Sequence, residues 1–339
     1  MKTNDFAYHL SRYFTTFLTG QRNLSANTIA AYRDTFSKFL KYFTEQGIPP
    51  EKLNFTHITR EKVEDFLTWL ELSQGCGIAT RNHRLAGIKS FFKYVQIVCP
   101  DYLLLCGQII NDIHSKKSPK PVIQYLDKSG ISLLLAQPDT STADGRRDLA
   151  MLSLLYDAGA RVQELCNLTP QNLRLDAPPT VALTGKGNKS RFVPLSSQNA
   201  QILRKYLKER RLDRPEHMHD PIFSNRQGGK LTRGGVSYIL AKYVRQANST
   251  VQNAIPSSLT PHCLRHSKSM HLLESGSNLI YIRDFLGHEE INTTQIYAKA
   301  NPEVKRASLE KVYNAPDMPQ LPDWNDDPTL ISFLKGLGN

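Results

Sequence analysis

A short segment between residues 111 and 124 separates two long stretches that each have their own pattern of apolar residues. It reads NDIHSKKSPKPVIQ and holds three lysines and two prolines without a regular period. Prolines and like charges keep such a segment extended, as in a linker. We therefore predict two domains on either side of it, with limits at 1–112, 113–124 and 125–313 and a tail at 314–339.

The first domain has the pattern of a helical bundle. From Ser25 onward, apolar residues recur at steps of three and four up to Phe43, and Gly47 with two prolines ends the pattern. Similar patterns predict a short opening helix, Phe6 to Leu18, a helix from about Thr59 to Leu72 and one that begins near Ala79. Basic residues occupy the remaining positions of the last helix, a pattern that by itself is typical of a solvated face: Arg81, Arg84, Lys89 and Lys93.

Composition favours a protein that binds a polyanion. The 339 residues carry a formal net charge of +12, and the apolar share of 40% is enough for two folded cores. Charge alone leaves open a basic protein without a nucleic-acid partner. Five scattered cysteines without a C-x-x-C pair indicate reduced thiols in a cytoplasmic protein, and we find no apolar stretch of membrane-spanning length.

Chemistry-bearing residues gather in the stretch from Ser257 to Ala300. It holds a His-x-x-Arg pair (His262, Arg265), a Leu-Gly-His motif that ends at His288, and Tyr297 nine residues further on. A tyrosine with an ordinary pKa of about 10 is a poor nucleophile unless fixed cations hold a phosphodiester beside it. Arginine suits that task because its planar fork stays charged and matches phosphate oxygens in pairs. The stretch predicts half of a phosphoryl-transfer site that uses a covalent tyrosine and no metal.

The other half lies upstream, in DAGARVQEL around Arg161 and in the lysine-bearing turn TGKGNKSR around Lys186. The order Arg, Lys, His-x-x-Arg, His, Tyr resembles the tyrosine recombinase family of the phage integrase and Xer type, over roughly Asn23 to Tyr313. The resemblance implies a mainly α fold with a small β-sheet. An N-terminal helical core-binding (SAM-like) bundle would precede an α+β catalytic domain.

The resemblance also implies the roles of six catalytic residues. Tyr297 would attack a phosphodiester to give a 3′-phosphotyrosine, and Lys186 would protonate the leaving 5′ oxygen. The two arginines would hold the non-bridging oxygens, while the two histidines assist proton transfer and phosphate positioning. Glu164, one turn after Arg161, would orient that arginine. The six positions are Arg161, Lys186, His262, Arg265, His288 and Tyr297.

Double-stranded DNA with inverted-repeat core sites is the implied partner. Four protomers would act on two sites through a Holliday junction, without metal or other cofactor. An apolar helix near the C-terminus, after a Pro/Asp-rich tail, would dock on a neighbouring protomer, although the same helix could fold back on its own domain. The residues expected to contact DNA are Arg81, Arg84, Lys89, Lys93, Lys189, Arg191 and Arg233.

Three other patterns in the sequence bear on these predictions. The turn at Lys186 lacks the second glycine and the strand-to-helix context of a P-loop, which excludes that motif. His217 and His219 have no further ligand at metal-binding spacing, so we interpret them as solvated loop histidines. The run Ser-Lys-Ser-Met at 267–270 departs from the Thr-Phe-Ala-Thr type common in the family and concerns the subfamily rather than the chemistry.

A type IB topoisomerase would use the same chemistry without pairing sites, and a DNA-binding regulator would have lost it. The filled catalytic positions and the C-terminal helix favour a recombinase. The chain begins almost directly with the helical bundle, which leaves no room for an arm-binding domain. We therefore expect a simple recombinase of the Xer, transposon or mobile-element type, serving integration, excision or inversion.

Overall fold

The computed structural model of the chain describes residues 5–118, 123–288, 294 and 332. Tyr297, the tail and the C-terminal helix lie outside the described residues, as does the side chain of Lys186. The chain divides into two compact units, Met1–Pro121 and Val122–Asn339. The division falls inside the segment predicted as a linker, while the remaining domain limits stay a prediction.

Unit 1 is built from helices that begin and end close to the predicted positions. Ser25 and Thr59 cap α2 and α3 with their side chains, each accepting a hydrogen bond from a backbone N–H in the first turn. The opening helix is shorter than predicted and continues as a π-helix, Tyr13–Gln21. The α-helices are α1 (Asp5–Arg12), α2 (Ala26–Glu45), α3 (Arg60–Leu72), α4 (Ile78–Val98) and α5 (Leu103–Gly107).

Aromatic rings form the core of unit 1. Phe39 and Phe66 pack edge to face with ring centroids 5.0 Å apart, which joins α2 to α3. Phe36 and Phe91 do the same at 5.2 Å and join α2 to α4. Such pairs contribute about 0.5–1.5 kcal/mol each beyond the area that they bury. The predicted apolar positions of these helices are therefore core positions.

The first half of the predicted linker is bound to unit 1. Asn82 on α4 donates to the carbonyl of Lys116 and accepts from its backbone N–H, at 2.8 and 3.0 Å. The ammonium of Lys116 lies 2.5 Å from Glu71 on α3. A further helical stretch that the sequence analysis missed, Pro100 to Asp112, precedes it. Hydrogen bonds to α4 and an ion pair to α3 hold this segment, although it has no periodic pattern of apolar residues.

Unit 2 combines helices with one small antiparallel sheet in the order β1-β2-β3. Val181 pairs with Val193 in a hairpin that contains the predicted lysine-bearing turn, and Leu173 adds a short strand by pairing with Val181. The strands are β1 (Leu173–Arg174), β2 (Thr180–Thr184) and β3 (Ser190–Pro194). The helices are α6 (Lys128–Leu135), α7 (Ala143–Asp157), α8 (Val162–Cys166), α9 (Ser197–Glu209), α10 (Arg233–Thr250), α11 (Pro261–Glu274) and α12 (Leu279–Leu286).

Helix α7 is the centre of unit 2. Four of its apolar residues are fully buried, as the run RRDLAMLSLLYDA predicts: Met151, Leu152, Leu154 and Leu155. Helices α9 and α11 pack against it. Because α7 is apolar around most of its circumference, it fixes the helices that flank it and, through α11, the His-x-x-Arg pair.

The start of α7 gives a stability test. A Cβ on Gly145 would lie 1.9 Å from the backbone carbonyl oxygen of Asp139, so the backbone would have to move. We expect Gly145→Ala to lower the free energy of unfolding by about 1–3 kcal/mol, as overpacking does. Urea unfolding followed by far-UV circular dichroism measures this.

Gly234, near the start of α10, is the matched control, because its added Cβ would meet nothing closer than 3.8 Å. Gly234→Ala should leave the midpoint unchanged or raise it slightly. Equal midpoints for the two variants would contradict the close approach at Gly145.

Candidate active site

Helix α11 carries the His-x-x-Arg pair one turn apart, as predicted. Thr260 takes the cap position and Pro261 the first helical position, where a missing N–H costs nothing. Arg265 is 1% exposed and donates from Nη1 to the carbonyl of Gly159, at 2.7 Å. His262 is exposed and stacks edge to face on His266, with ring centroids 4.3 Å apart.

The end of α12 is where the candidate residues meet. Gly287 takes a left-handed conformation with φ +65° and ends the helix. Three consecutive carbonyls, at residues 285–287, then point past the helix end; we call them the α12 terminus. Each accepts a hydrogen bond from a different arginine. The pairs are Arg191 Nε with Phe285 O at 2.9 Å, Arg265 Nη2 with Leu286 O at 2.6 Å, and Arg161 Nη2 with Gly287 O at 3.1 Å.

The α12 terminus is a favourable place for cations. The last carbonyls of a helix have no partner within the helix, and the aligned peptide dipoles add partial negative charge there. Three guanidinium groups would repel one another at this range without such an anchor. The backbone therefore gathers three positive charges at one point without bringing a carboxylate to each.

Among the described residues of the cluster, the carboxylate is that of Glu164 on α8, and it is shared by two arginines. It accepts from the backbone N–H and Nη1 of Arg161, both at 2.8 Å, and from Nη1 and Nη2 of Arg191, both at 2.9 Å. Burial alone would raise the pKa of Glu164. The hydrogen bonds and charge of Arg191, together with those of Arg161, outweigh it and lower the pKa to about 2. Glu164 therefore stays ionised across the physiological range.

Glycines let the backbone approach the arginines closely. A Cβ on Gly287 would lie 2.9 Å from Cδ of Arg191, in addition to the strained positive φ. Gly159, also left-handed at φ +54°, would touch Phe285 and Leu286 at 3.1 and 3.2 Å. These glycines were visible in the sequence as helix ends, but their contacts with the site were not.

The histidines of the site are neutral at neutral pH. Burial first, then the charges of Arg265, Arg161 and Arg191, lower the pKa of His288 to about 4. Partial desolvation of the ring and the charges of Arg265 and Arg161 also lower the pKa of His262, although the residue as a whole is exposed. Nδ1 of His288 lies 3.0 Å from the hydroxyl of Thr294. Neutral imidazoles beside two arginines act as hydrogen-bonding groups rather than as further cations.

Ser267 and Lys268 fasten α11 to its surroundings, while Ser269 bonds within the helix. Ser267 accepts from the backbone N–H of Leu126 at 2.8 Å, and Ser269 donates to the carbonyl of Arg265 at the same distance. Lys268 donates to Asp157 at 3.0 Å. This run is therefore held by polar bonds, on the same helix that carries His262 and Arg265.

The structure thus brings together four of the six predicted catalytic residues: Arg161, His262, Arg265 and His288. The backbone places Lys186 in the β2–β3 turn, between Gly185 and Gly187, as expected. Its side chain and Tyr297 lie outside the described residues. Arg161 is the accessible arginine, with 40% of its side chain exposed, while Arg191 is 12% exposed. An anion that enters the site meets Arg161 first.

The basic residues predicted to contact DNA divide into two groups. Lys93, Lys189 and Arg233 are exposed. The others make bonds within their own unit: Arg81 is buried and donates to the carbonyl of His114 at 3.1 Å, and Arg84 pairs with Asp34 at 2.8 Å. Lys89 donates to the carbonyl of Ile110, and Arg191 donates to the carbonyl of Phe285.

A DNA contact by Arg81 or Arg84 would have to compete with these internal bonds. Arg81 holds the segment after α5 against α4, and Arg84 holds α2 against α4. Both roles are structural. Helical periodicity predicted the face of α4 on which they lie but gave no sign of their partners. Their contacts with DNA stay a prediction.

Within residues 5–118 and 123–288, no three His, Cys, Asp or Glu side chains are grouped as a metal ion would need. His217 lies 2.7 Å from Asp220 in its loop. All five cysteines are free thiols. None of the helices in these same ranges has the length and apolar character to cross a membrane.

Comparison with known proteins gives matches along most of the chain. Residues 124–303 match the phage integrase family, and residues 12–96 match the phage integrase N-terminal SAM-like domain. The putative integrase/recombinase y4rC of Sinorhizobium fredii is 34% identical over 331 residues, which cover 97% of both chains. The tyrosine recombinase XerD of Listeria monocytogenes is 34% identical over 306 residues, 88% of this chain and 95% of its own.

Solved structures share the fold. The XerH site-specific recombinase bound to palindromic difH substrate superposes with a TM-score of 0.68 at 20% identity, covering 85% of this chain and 81% of that one. The Tn1549 transposon integrase in complex with transposon right end DNA gives 0.66 at 18% identity, covering 89% and 98%. The predicted fold class, a SAM-like helical bundle followed by an α+β domain, is confirmed.

The neutral histidines predict how stability depends on pH. A histidine held at a pKa near 4 in the folded state titrates near 6.5 when unfolded. Below pH 6.5 the unfolded chain therefore binds more protons than the folded chain. The contribution of the histidine to the free energy of unfolding is complete above that pH and decreases towards pH 4. The slope is at most about 1.4 kcal/mol per pH unit and per histidine, less with solvent screening.

We expect His288→Gln to make this slope shallower between pH 6.5 and 4.5. His219→Gln, in an exposed loop, is the control and should keep the wild-type slope. Glu164 contributes in a lower window, from about pH 4.5 down to about 2, and does not interfere. Urea unfolding at four pH values measures the slopes, and parallel curves for wild type and His288→Gln would contradict the assignment.

Proposed function

The chain belongs to the phage integrase family of tyrosine recombinases, and from this premise we propose how its residues cut and rejoin DNA. Its function is site-specific recombination. In the proposed reaction Tyr297 attacks a phosphodiester of double-stranded DNA. The tyrosine oxygen forms a bond to phosphorus, and the bond from phosphorus to the 5′ oxygen breaks. The products are a 3′-phosphotyrosine and a free 5′-hydroxyl.

The arginine cluster at the α12 terminus is the observation that carries this proposal. We propose that Arg161 and Arg265 stabilise the non-bridging oxygens of the phosphate as negative charge grows on them. The fork of Arg161 is fixed on both sides, by Glu164 and by the carbonyl of Gly287, yet it is 40% exposed. A guanidinium that is already oriented loses little freedom when the phosphate arrives. The same cluster serves the reverse step, religation.

We propose that His262 and His288 act as neutral hydrogen-bonding groups. The depressed pKa of each keeps the imidazole uncharged at neutral pH, so it can donate to a phosphate oxygen and pass on the tyrosine proton. A charged imidazole here would add to the repulsion between the arginines. The proposal assigns to these residues the positioning of the phosphate and the movement of protons.

Lys186 is proposed as the general acid that protonates the leaving 5′ oxygen. Its place in the β2–β3 turn supports this, because Gly187 with φ +72° allows the turn to change conformation. The energy of the broken bond stays in the phosphotyrosine, so rejoining requires neither ATP nor, in this proposal, a metal ion. The free thiols are compatible with action in the cytoplasm, where we place the reaction.

The proposed substrate is duplex DNA with inverted-repeat core sites. The related XerH structure holds a palindromic substrate, and the related Tn1549 integrase has been solved with a circular intermediate DNA. We infer that four copies of this chain act on two such sites through a Holliday junction, and that the C-terminal helix docks on a neighbouring copy. A type IB topoisomerase and a silent regulator are not favoured by the relatives.

A suicide-substrate assay tests the nucleophile. The protein is incubated in EDTA with nicked duplexes that carry candidate sites from its genomic neighbourhood, and covalent adducts are resolved on a denaturing gel. We expect an adduct with the wild type and none with Tyr297→Phe, because only the phenol oxygen can form the bond. Tyr281→Phe is the matched control, since Tyr281 is exposed on α12. An adduct that survives Tyr297→Phe, or one that needs a divalent metal, would overturn the mechanism.

A second experiment tests the DNA contacts of α4. Lys93 is exposed on that helix, so Lys93→Ala should remove one phosphate contact. The slope of log affinity against log salt concentration should then decrease in magnitude by about 0.9. Lys52→Ala, an exposed lysine before α3, should leave the slope as it is. Fluorescence anisotropy with a labelled duplex measures both, and an unchanged slope for Lys93→Ala would remove α4 from the interface at that position.

A further inference from the structure

Arg191 was predicted to contact DNA, but its bonds in the structure are internal. Its guanidinium approaches both carboxylate oxygens of Glu164 at 2.9 Å, and its Nε donates to the carbonyl of Phe285 at the same distance. The ion pair is buried, since the side chain of Glu164 is 3% exposed. A phosphate contact would have to break a buried bidentate ion pair, which is strongly unfavourable.

These bonds form a closed ring of contacts that includes Arg161, the most exposed arginine of the cluster. Arg191 holds Glu164, Glu164 holds Arg161, and Arg161 binds the carbonyl of Gly287. Arg191 completes the ring by binding the carbonyl of Phe285, two residues before Gly287. Each member of the ring has two neighbours, so the orientation of Arg161 depends on Arg191, which binds the same carboxylate.

We propose that Arg191 is a positioning residue, which holds Glu164 and the α12 terminus in the arrangement from which Arg161 and His288 act on the phosphate. This inference rests on the proposed function of the same site. Arg191 itself does not touch the DNA. It acts on the rate of cleavage through Arg161, and through the backbone of Gly287 on the adjacent His288.

The chemistry of the contacts requires arginine at this position. The planar fork makes a bidentate pair with the carboxylate while Nε serves the carbonyl, three directed bonds that an ammonium cannot place at once. The backbone is shaped for it as well: a Cβ on Gly287 would lie 2.9 Å from Cδ and 3.0 Å from Nη1 of Arg191. The helix end and the arginine therefore fit each other.

The ionisation of Glu164 supports the same inference. Burial of this carboxylate favours its neutral form, and Arg191 makes the largest favourable contribution to keeping it charged. Without Arg191 the carboxylate would keep, among the described residues, the hydrogen bonds from Arg161. A carboxylate that is less fully ionised holds Arg161 less firmly. The loss of Arg191 would therefore disturb the orientation of Arg161, the proposed phosphate-binding group.

Arg191 also lies on β3, five residues after Lys186, so it could instead act by placing the lysine turn. The two routes differ chemically. A substrate in which sulfur replaces the bridging 5′ oxygen has a leaving group that needs no proton, and it relieves a defect in the general acid. It does not relieve a defect in Arg161, because the non-bridging oxygens still carry the developing charge.

The experiment measures single-turnover cleavage of a suicide duplex at saturating protein, with oxygen or sulfur at the bridging position. For Arg191→Met we expect a loss of about 10²-fold in rate, as a misplacement of about 1 Å gives, and the same loss with sulfur. Lys186→Ala should be slow with oxygen and recover with sulfur. DNA affinity and its salt slope should stay within twofold of wild type in Arg191→Met.

Two further variants keep the test independent of folding. Arg191→Lys keeps the charge and should also cleave slowly, because one ammonium cannot make the three bonds. Arg204→Met is the matched control on α9, where the side chain is 55% exposed, and should behave as the wild type. Circular dichroism and melting temperature confirm that each variant compared is folded.

Each outcome decides between defined alternatives. Normal cleavage at saturation with weaker, less salt-dependent binding would make Arg191 a phosphate contact and overturn the inference. Recovery of Arg191→Met with sulfur would assign its effect to Lys186 and overturn it as well. Adduct formation by the wild type and its loss in Tyr297→Phe report on the proposed function separately, so a failure at Arg191 leaves that function intact.

Discussion

The site depends on the end of one short helix. At the α12 terminus three successive carbonyls, made available by the left-handed Gly287, each bind a guanidinium. Backbone carbonyls cannot be titrated, and they cannot rotate away as side chains do. They hold Arg161 and Arg265 at fixed positions while leaving the net charge of the cluster positive. A helix end is therefore a more suitable anchor for phosphate-binding arginines than a set of carboxylates, which would cancel the charge that the reaction needs.

Among the described residues, the cluster keeps an excess of positive charge after Glu164 is counted. Two of the three arginines, Arg161 and Arg191, share the carboxylate of Glu164, whose pKa of about 2 keeps it ionised at any working pH. The nearby His288 is kept neutral by burial and by the arginines. The excess is thus supplied by arginines, whose charge does not vary with pH, and an incoming phosphodiester supplies the compensating charge. Neutral histidines then have proton transfer and hydrogen bonding as their available roles.

Local patterns predicted much of the fold and of the site, because caps, glycines and helical periods act within a few residues. Ser25 and Thr59 mark helix starts at the positions where the structure has them. The partners of arginines were not predictable in this way. Arg191 binds groups that are 27 and 94 residues away in sequence, and strand alternation indicates a face but not a partner. The same holds for Arg81 and His114, which are 33 residues apart.

The side chains that position the catalytic residues are ordered by contacts within unit 2. Bidentate pairing of Arg191 with Glu164 is internal to the unit, and Lys268 fastens α11 to α7 through Asp157. The conformational entropy of these long side chains is therefore lost when the protein folds, not when it meets its substrate. Binding energy from the duplex remains for the steps that need it, which are bringing the scissile phosphate to Arg161 and bringing Tyr297 to the phosphate.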